Sequence, residues 1–199
     1  IPIKVEDTCL VCKILSQRGK TCFDCRKICT LGGVFSFLDY DHFMVKQLLK
    51  VSKYGYVQDA MQPLIQTVES HFLSKLELLD IDPRALVFVP VPLHPRRLRD
   101  RGFNQAELIA RRFAEISGGN FSPSLTRRHN RPPQASLDEF DRARNIRHNI
   151  WCADLEAIQG KFVCVVDDVT TTGSTLDECG RALRFAQAAE VWGIVLAKG

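Results

Sequence analysis

Apolar residues along this chain recur with two different periods, and the places where one gives way to the other mark out its elements. Phe162-Val163-Cys164-Val165-Val166 is short, mostly β-branched and apolar on both faces, as a strand buried in the middle of a parallel sheet must be. Leu86-Val87-Phe88-Val89-Pro90-Val91-Pro92-Leu93 reads as a second buried strand, ended by prolines that cannot donate to a ladder. Residues 190–197 read as a third. Between them the spacing changes to three and four. Leu64, Ile65, Val68, Phe72, Leu76 and Leu79 predict an amphipathic helix starting at Met61; Ala106, Ile109, Phe113 and Ile116 predict another; Leu176, Cys179, Leu183 and Ala186 predict one over 174–188. Gly32-Gly33 marks a break, after which Phe35, Phe37, Leu38 and Tyr40 lead into Phe43, Leu48 and Leu49. Gly118-Gly119 closes the second helix ahead of a short edge strand within 121–125. A strand, helix, strand succession with right-handed crossovers builds a parallel sheet, so the predicted fold class is α/β.

At 199 residues, 45% hydrophobic and 25% charged, the chain has the core for one α/β domain and a small appendage. No apolar run approaches the roughly 20 residues of a membrane span. The opening Ile1-Pro2-Ile3-Lys4 carries no signal-peptide hydrophobic region, which sets the expectation of a cytoplasmic protein. The net charge of +4 is ordinary, but its distribution is not: of 17 arginines, 13 lie between Arg84 and Arg147, alongside only six acidic residues. Such an arginine field suits phosphate, pyrophosphate or nucleic acid, with a plain solvated face as the alternative.

The N-terminal stretch holds Cys9-x2-Cys12 and Cys22-x2-Cys25 with nine residues between the pairs. Two such knuckles can place four thiolates tetrahedrally around zinc, and a segment this short has little core without the metal. A redox pair usually occurs singly and a disulfide framework suits a secreted mini-protein, so zinc on Cys9, Cys12, Cys22 and Cys25 is the stronger reading. Cys29 is close enough in sequence to be a spare ligand. Cys152, Cys164 and Cys179 sit among apolar residues and read as core.

Asp167 and Asp168 follow the first strand, at the carboxyl end where open α/β sheets bind ligands. Thr170, Thr171, Thr172, Gly173, Ser174 and Thr175 then offer hydroxyls, close backbone approach at the glycine, and a helix start that aims N–H groups at an anion. Paired carboxylates repel phosphate but suit vicinal hydroxyls or a magnesium shell, so the composite ligand is a phosphorylated sugar with free hydroxyls. The plain alternative is a capped helix behind a turn. After the 86–93 strand, Arg96, Arg97, Arg99 and Arg101 gather beside a second helix N-terminus, a place for a dense anion such as pyrophosphate. His94 reads as an anchor of that turn or a proton donor. The polar, proline-bearing stretch from Arg127 to Leu137 is a functional loop or a basic connector.

Val165-Val166-Asp167-Asp168-Val169-Thr170-Thr171-Thr172-Gly173-Ser174-Thr175 resembles the motif by which type I phosphoribosyltransferases bind phosphoribosyl pyrophosphate (PRPP), in the version of the ComF family of competence-associated proteins. Pro90-Val91-Pro92-Leu93-His94 and Arg101-Gly102-Phe103-Asn104-Gln105 resemble a family element almost residue for residue, and Lys53-Tyr54-Gly55 resembles another with its spacing shortened. Arg128, Gln134, Leu137, Arg142 and Asn145 resemble a flexible loop of that family, with Arg131 where relatives often have threonine. The resemblance implies a zinc finger over 1–33, a linker and helical segment over 34–83 and a phosphoribosyltransferase-like domain over 84–199. It implies Mg·PRPP with its 5-phosphate on 171–175, its ribose hydroxyls on the catalytic pair Asp167 and Asp168, and its pyrophosphate on the 96–101 loop, with Arg128 and Gln134 closing over it. The function implied is a role in natural transformation, as a magnesium-dependent transferase with an unseen acceptor. The alternative is a non-catalytic PRPP sensor or a module associated with single-stranded DNA or DNA-processing proteins. Phe103 is the one aromatic inside the arginine stretch, which argues against a stacking platform for DNA.

Overall fold

A computed structural model describes residues 1–3, 7–55, 57–127 and 149–199. Its main sheet has five strands: β1 (Gly33–Asp39), β2 (Leu86–Pro90), β3 (Asn120–Phe121), β6 (Phe162–Thr170) and β7 (Glu190–Lys198). Their order is β1-β7-β6-β2-β3, with every pairing parallel. A separate antiparallel pair joins β4 (Leu125–Arg127) to β5 (Ile150–Cys152).

Helices α1 (Phe43–Tyr54), α2 (Gln62–Glu77), α3 (Pro95–Arg101), α4 (Gln105–Ser117) and α5 (Ser174–Phe185) connect the strands. The three periodic segments expected to be helical are α2, α4 and α5. One core cluster holds α1, α2 and α4 on the sheet through Val45, Phe72, Phe113, Phe37 and Phe88. The Phe72 and Phe113 rings stack at 4.0 Å. The other face is covered by Leu176, Cys179 and Leu183 of α5, with Leu10, Leu31, Leu125 and Ile150. A sheet buried on both faces explains why its strands read as continuous apolar runs. No helix among the described residues is long and apolar enough to cross a membrane.

Three placements differ from the sequence pattern. The 34–83 segment, read as linker and helices, supplies the edge strand β1, which pairs with β7. The 121–125 stretch is divided, Phe121 ending β3 on the main sheet and Leu125 opening β4 on the small one. The arginine stretch, read as a loop, is the short helix α3, with Pro95 at its start and Gly102 at φ 78 closing it.

Candidate functional site

The strand β6 outlasts one of its two neighbours. Its pairing with β2 ends at Pro90↔Val166, whereas its pairing with β7 runs on to Thr170↔Lys198. Asp167 and Asp168 therefore lie inside the strand, beyond the point where β2 departs toward α3. The β2–β6 pairing thus ends at the carboxyl ends of the strands, where open α/β sheets bind ligands, and this is the candidate crevice.

Asp168 is buried, at 6% exposure, and its amide donates to Asp167 Oδ1 over 2.9 Å. Lys53, from the last turn of α1, brings Nζ to 2.7 Å from Asp168 Oδ2. The contact lacks hydrogen-bond alignment, so this buried oxygen has an ion-pair partner but no hydrogen-bond donor. Burial and the neighbouring Asp168 charge push the Asp167 carboxyl up to about 8, against the opposing pull of the Asp168 amide and Lys53.

That shift sets a sign for stability. An unfolded aspartate titrates near 3.9, so between there and about 8 the folded chain holds a proton that the unfolded chain has lost. The contribution is complete below the unfolded value and disappears as pH rises through about 8. Asp167→Asn, neutral at every pH, is expected to gain on the wild type as pH rises from 6 to 9, by up to about 2–3 kcal/mol or roughly 5–10 °C in Tm. Melting curves across that range check it, and a pH-independent difference refutes it.

The loop after β6 leads into α5 through Gly173, at φ 80, with no side chain capping the helix. Thr172 Oγ1 and Ser174 Oγ lie 2.9 Å apart, and the Ser174 amide donates to Thr172 Oγ1 over 3.4 Å. First-turn amides and the helix dipole thus face an open loop rimmed with hydroxyls. Thr171, Thr172 and Ser174 are exposed, Thr175 is half-buried, and Thr170 is instead the buried last residue of β6.

Across the crevice, His94 caps α3, its Nδ1 accepting from the Arg96 amide over 3.2 Å. This is the anchoring arrangement. Asn104 starts α4, accepting from the Ala106 amide at 3.2 Å, while its own Nδ2 donates to the Val91 carbonyl at 3.0 Å. A helix divides the four arginines between faces: Arg97 and Arg101 are four apart and share one, Arg96 and Arg99 share another. Arg101 is half-buried, donates to Gln105 Oε1 at 3.3 Å and lies 5.9 Å from the Tyr54 ring. Arg96, Arg97 and Arg99 are exposed. Consecutive residues of α1 thus reach both walls, Lys53 to Asp168 and Tyr54 to Arg101. Lys53-Tyr54 was visible in the sequence only as a shortened element; its link to the aspartates is made by folding. Arg128 and Gln134 lie outside the described residues, as does the rest of 128–137.

The Sγ atoms of Cys9, Cys12, Cys22 and Cys25 all lie within 4.8 Å of one another, with Cys12 and Cys22 at 3.7 Å. A tetrahedral site with zinc–sulfur bonds of about 2.3 Å has sulfur–sulfur edges of about 3.8 Å, so the four fit a metal such as zinc. Burial raises the Cys9 thiol, but backbone amides of Cys22, Cys12 and Val11 outweigh it and lower it, while hydrogen bonding to Cys22, burial and the Cys9 charge push Cys25 up, as expected of thiols crowded together. Cys29 is not in the cluster. Cys164 and Cys179 are fully buried and burial raises both thiols, as it does that of the half-buried Cys152.

No protein-family profile matches the chain. It is 33% identical over 119 residues to competence protein F of Haemophilus influenzae, covering 58% of this chain and 51% of that protein. It is 36% identical over 107 residues to DNA utilization protein YhgH of Escherichia coli, covering 52% and 46%. Over 182 residues it is 28% identical to competence protein ComFC of Bacillus subtilis, covering 92% of this chain and 68% of that one. The chain therefore spans about half the length of the first two relatives. Among solved structures, the allosteric regulatory enzyme of purine biosynthesis overlays with a TM-score of 0.39 and 23% identity, across 62% of this chain and 24% of that one. The parallel order of the sheet stands on its own strand pairing.

Proposed function

Since the chain is a homologue of the ComF-type competence proteins, we propose that it binds Mg·PRPP or a related phosphoribosyl ligand in the β6–α3 crevice, as a cytoplasmic protein of DNA uptake and utilization. The observation that carries this reading is the juxtaposition of a carboxylate pair, Asp168 buried and Asp167 half-buried, a hydroxyl-rich helix start and an arginine-bearing helix around one crevice. The ribose hydroxyls meet Asp167 and Asp168, the 5-phosphate meets the amides and hydroxyls of 171–175, and the pyrophosphate meets Arg101 and Arg97, with Arg96 and Arg99 at the outer edge. Arg128 and Gln134 belong to the same reading as contacts of a closing loop. Magnesium bound with the diphosphate would neutralise part of its charge, and Asp167 and Asp168 are the carboxylates that would face its hydration shell, with Asp168 Oδ2 already paired to Lys53 Nζ at 2.7 Å. In a transfer reaction, the arginines stabilise the departing pyrophosphate through charges fixed by the fold.

Asp168→Asn is expected to weaken Mg·PRPP binding at least tenfold, because it removes a charged acceptor and leaves Lys53 without its counter-ion. Isothermal calorimetry on the full chain decides it; no heat from the wild type, or equal heats from both proteins, rejects the site. The Lys53–Asp168 ion pair favours a second reading, a PRPP-binding module without turnover, since Lys53 already neutralises the carboxylate that would orient the sugar. Pyrophosphate release, assayed against a panel of bases and amines, separates the two.

A further inference from the structure

The metal-binding segment is built into the wall of the crevice. Leu10, between the first two cysteines, is 2% exposed and packs where a Cβ on Gly173 would stand, 2.5 Å from its Cδ2. Lys13, one residue beyond Cys12, reaches the same loop and donates from Nζ to the Thr171 carbonyl over 2.7 Å. Its backbone sits at φ 63, in the left-handed region that a lysine adopts only when the surroundings impose it. What imposes it is the knuckle turn, in which the Lys13 amide donates to the Cys9 carbonyl at 3.1 Å.

Two further contacts hold the segment in place. Thr30 donates to Asp177 of α5, from its amide at 2.8 Å and its hydroxyl at 2.9 Å. Lys198, ending β7, donates to Thr8 Oγ1 at 2.7 Å. The position of Lys13 over the loop is therefore fixed from the metal side and from the sheet side.

An ammonium carries three donors, and one of them serves Thr171 here. The side chain is exposed, so the others are open to a ligand entering the loop. Resting on the phosphoribosyl reading above, we propose that Lys13 is a specificity-determining residue of the crevice: delivered by the metal knuckle, it is the cation that selects a phosphomonoester on the 171–175 loop. The metal segment is then part of the ligand site, and its backbone strain has a purpose in aiming that ammonium.

The test uses the full, metal-loaded chain and two probes titrated separately by calorimetry, ribose 5-phosphate and inorganic pyrophosphate with magnesium. Lys13→Met keeps length and removes charge. It is expected to weaken ribose 5-phosphate about tenfold while leaving pyrophosphate within about twofold, the loss of one charge-assisted contact at one end of the crevice. Lys13→Arg is expected to stay within about threefold of wild type for both, since the charge is kept. A role confined to supporting the fold would weaken both probes together, and that outcome overturns the proposal, as does a Lys13→Arg variant that falls as far as Lys13→Met. Unchanged ribose 5-phosphate affinity in Lys13→Met overturns the role of Lys13 alone. A wild-type chain that binds neither probe overturns the phosphoribosyl reading and this inference with it.

Discussion

Stripping the metal from Cys9, Cys12, Cys22 and Cys25 is expected to release the N-terminal segment from the fold and to loosen the 171–175 loop, while the sheet itself survives. The segment has few apolar anchors: Leu10 and Leu31 are buried, but Ile14, Leu15, Phe23 and Ile28 are 68% exposed or more. Two buried leucines stabilise by about 2–3 kcal/mol each, whereas four-thiolate coordination in small zinc domains is worth roughly 10–16 kcal/mol. The metal term dominates. The core cluster on the sheet face away from α5, which includes Phe37, Phe72, Phe88 and Phe113, has no member between residues 7 and 32. Hydrogen exchange after chelation should show amides of 8–31 losing protection, those of 171–175 following in part, and those of β6 and β7 holding. Elemental analysis should find about one metal ion per chain, and metal release should begin as pH falls, because protons compete for the thiolates. A chain that keeps its exchange pattern after the metal is gone, or that never held one, refutes this account.

Parts of this architecture were legible in the sequence because they rest on local rules. The 162–166 and 190–197 runs can only be buried strands, and the three-four spacing of Leu64 through Leu76 leaves one helix face for the core. Other parts depend on non-local pairing. Asp167 and Asp168 break the apolar run, yet their backbone continues the ladder because β7 supplies partners up to Lys198. A carboxylate tells little about whether its own N–H and C=O are paired. In the arginine stretch, charge drew the reading toward a loop, while Pro95 and Gly102 carried the signature of a helix start and stop. The consequence is functional, since a helix cannot turn Arg96, Arg97, Arg99 and Arg101 the same way. Lys13 has no local signal at all, and Lys53 has only the shortened Lys53-Tyr54-Gly55 element. Each is an ordinary exposed-type lysine until α1 ends beside Asp168 and the knuckle turns over Thr171.

One close junction between these non-local pieces is the contact of Leu10 with Gly173, and it yields the other large effect. Gly173→Ala is expected to destabilise the chain by about 2–5 kcal/mol, from the left-handed backbone at φ 80 and from overpacking. Its Cβ would meet three side-chain carbons of Leu10 at 2.5, 2.6 and 2.8 Å, and Leu10 is buried with little room to retreat. On the proposed phosphoribosyl reading, displacing the loop also moves the amides that would hold the phosphate, so affinity for ribose 5-phosphate should drop roughly a hundredfold. Leu10→Ala alone leaves a cavity and costs about 2–5 kcal/mol. In the double variant the new methyl occupies part of that cavity, so the loss should fall short of the sum of the singles by at least about 1 kcal/mol, measured by urea unfolding at one metal occupancy. Only the steric term is relieved this way; the φ term stays, which keeps the double variant below wild type. Strict additivity would mean that the cysteine knuckle and the 171–175 loop are not in energetic contact, and the wall of the crevice would then have to be drawn without residues 9–13.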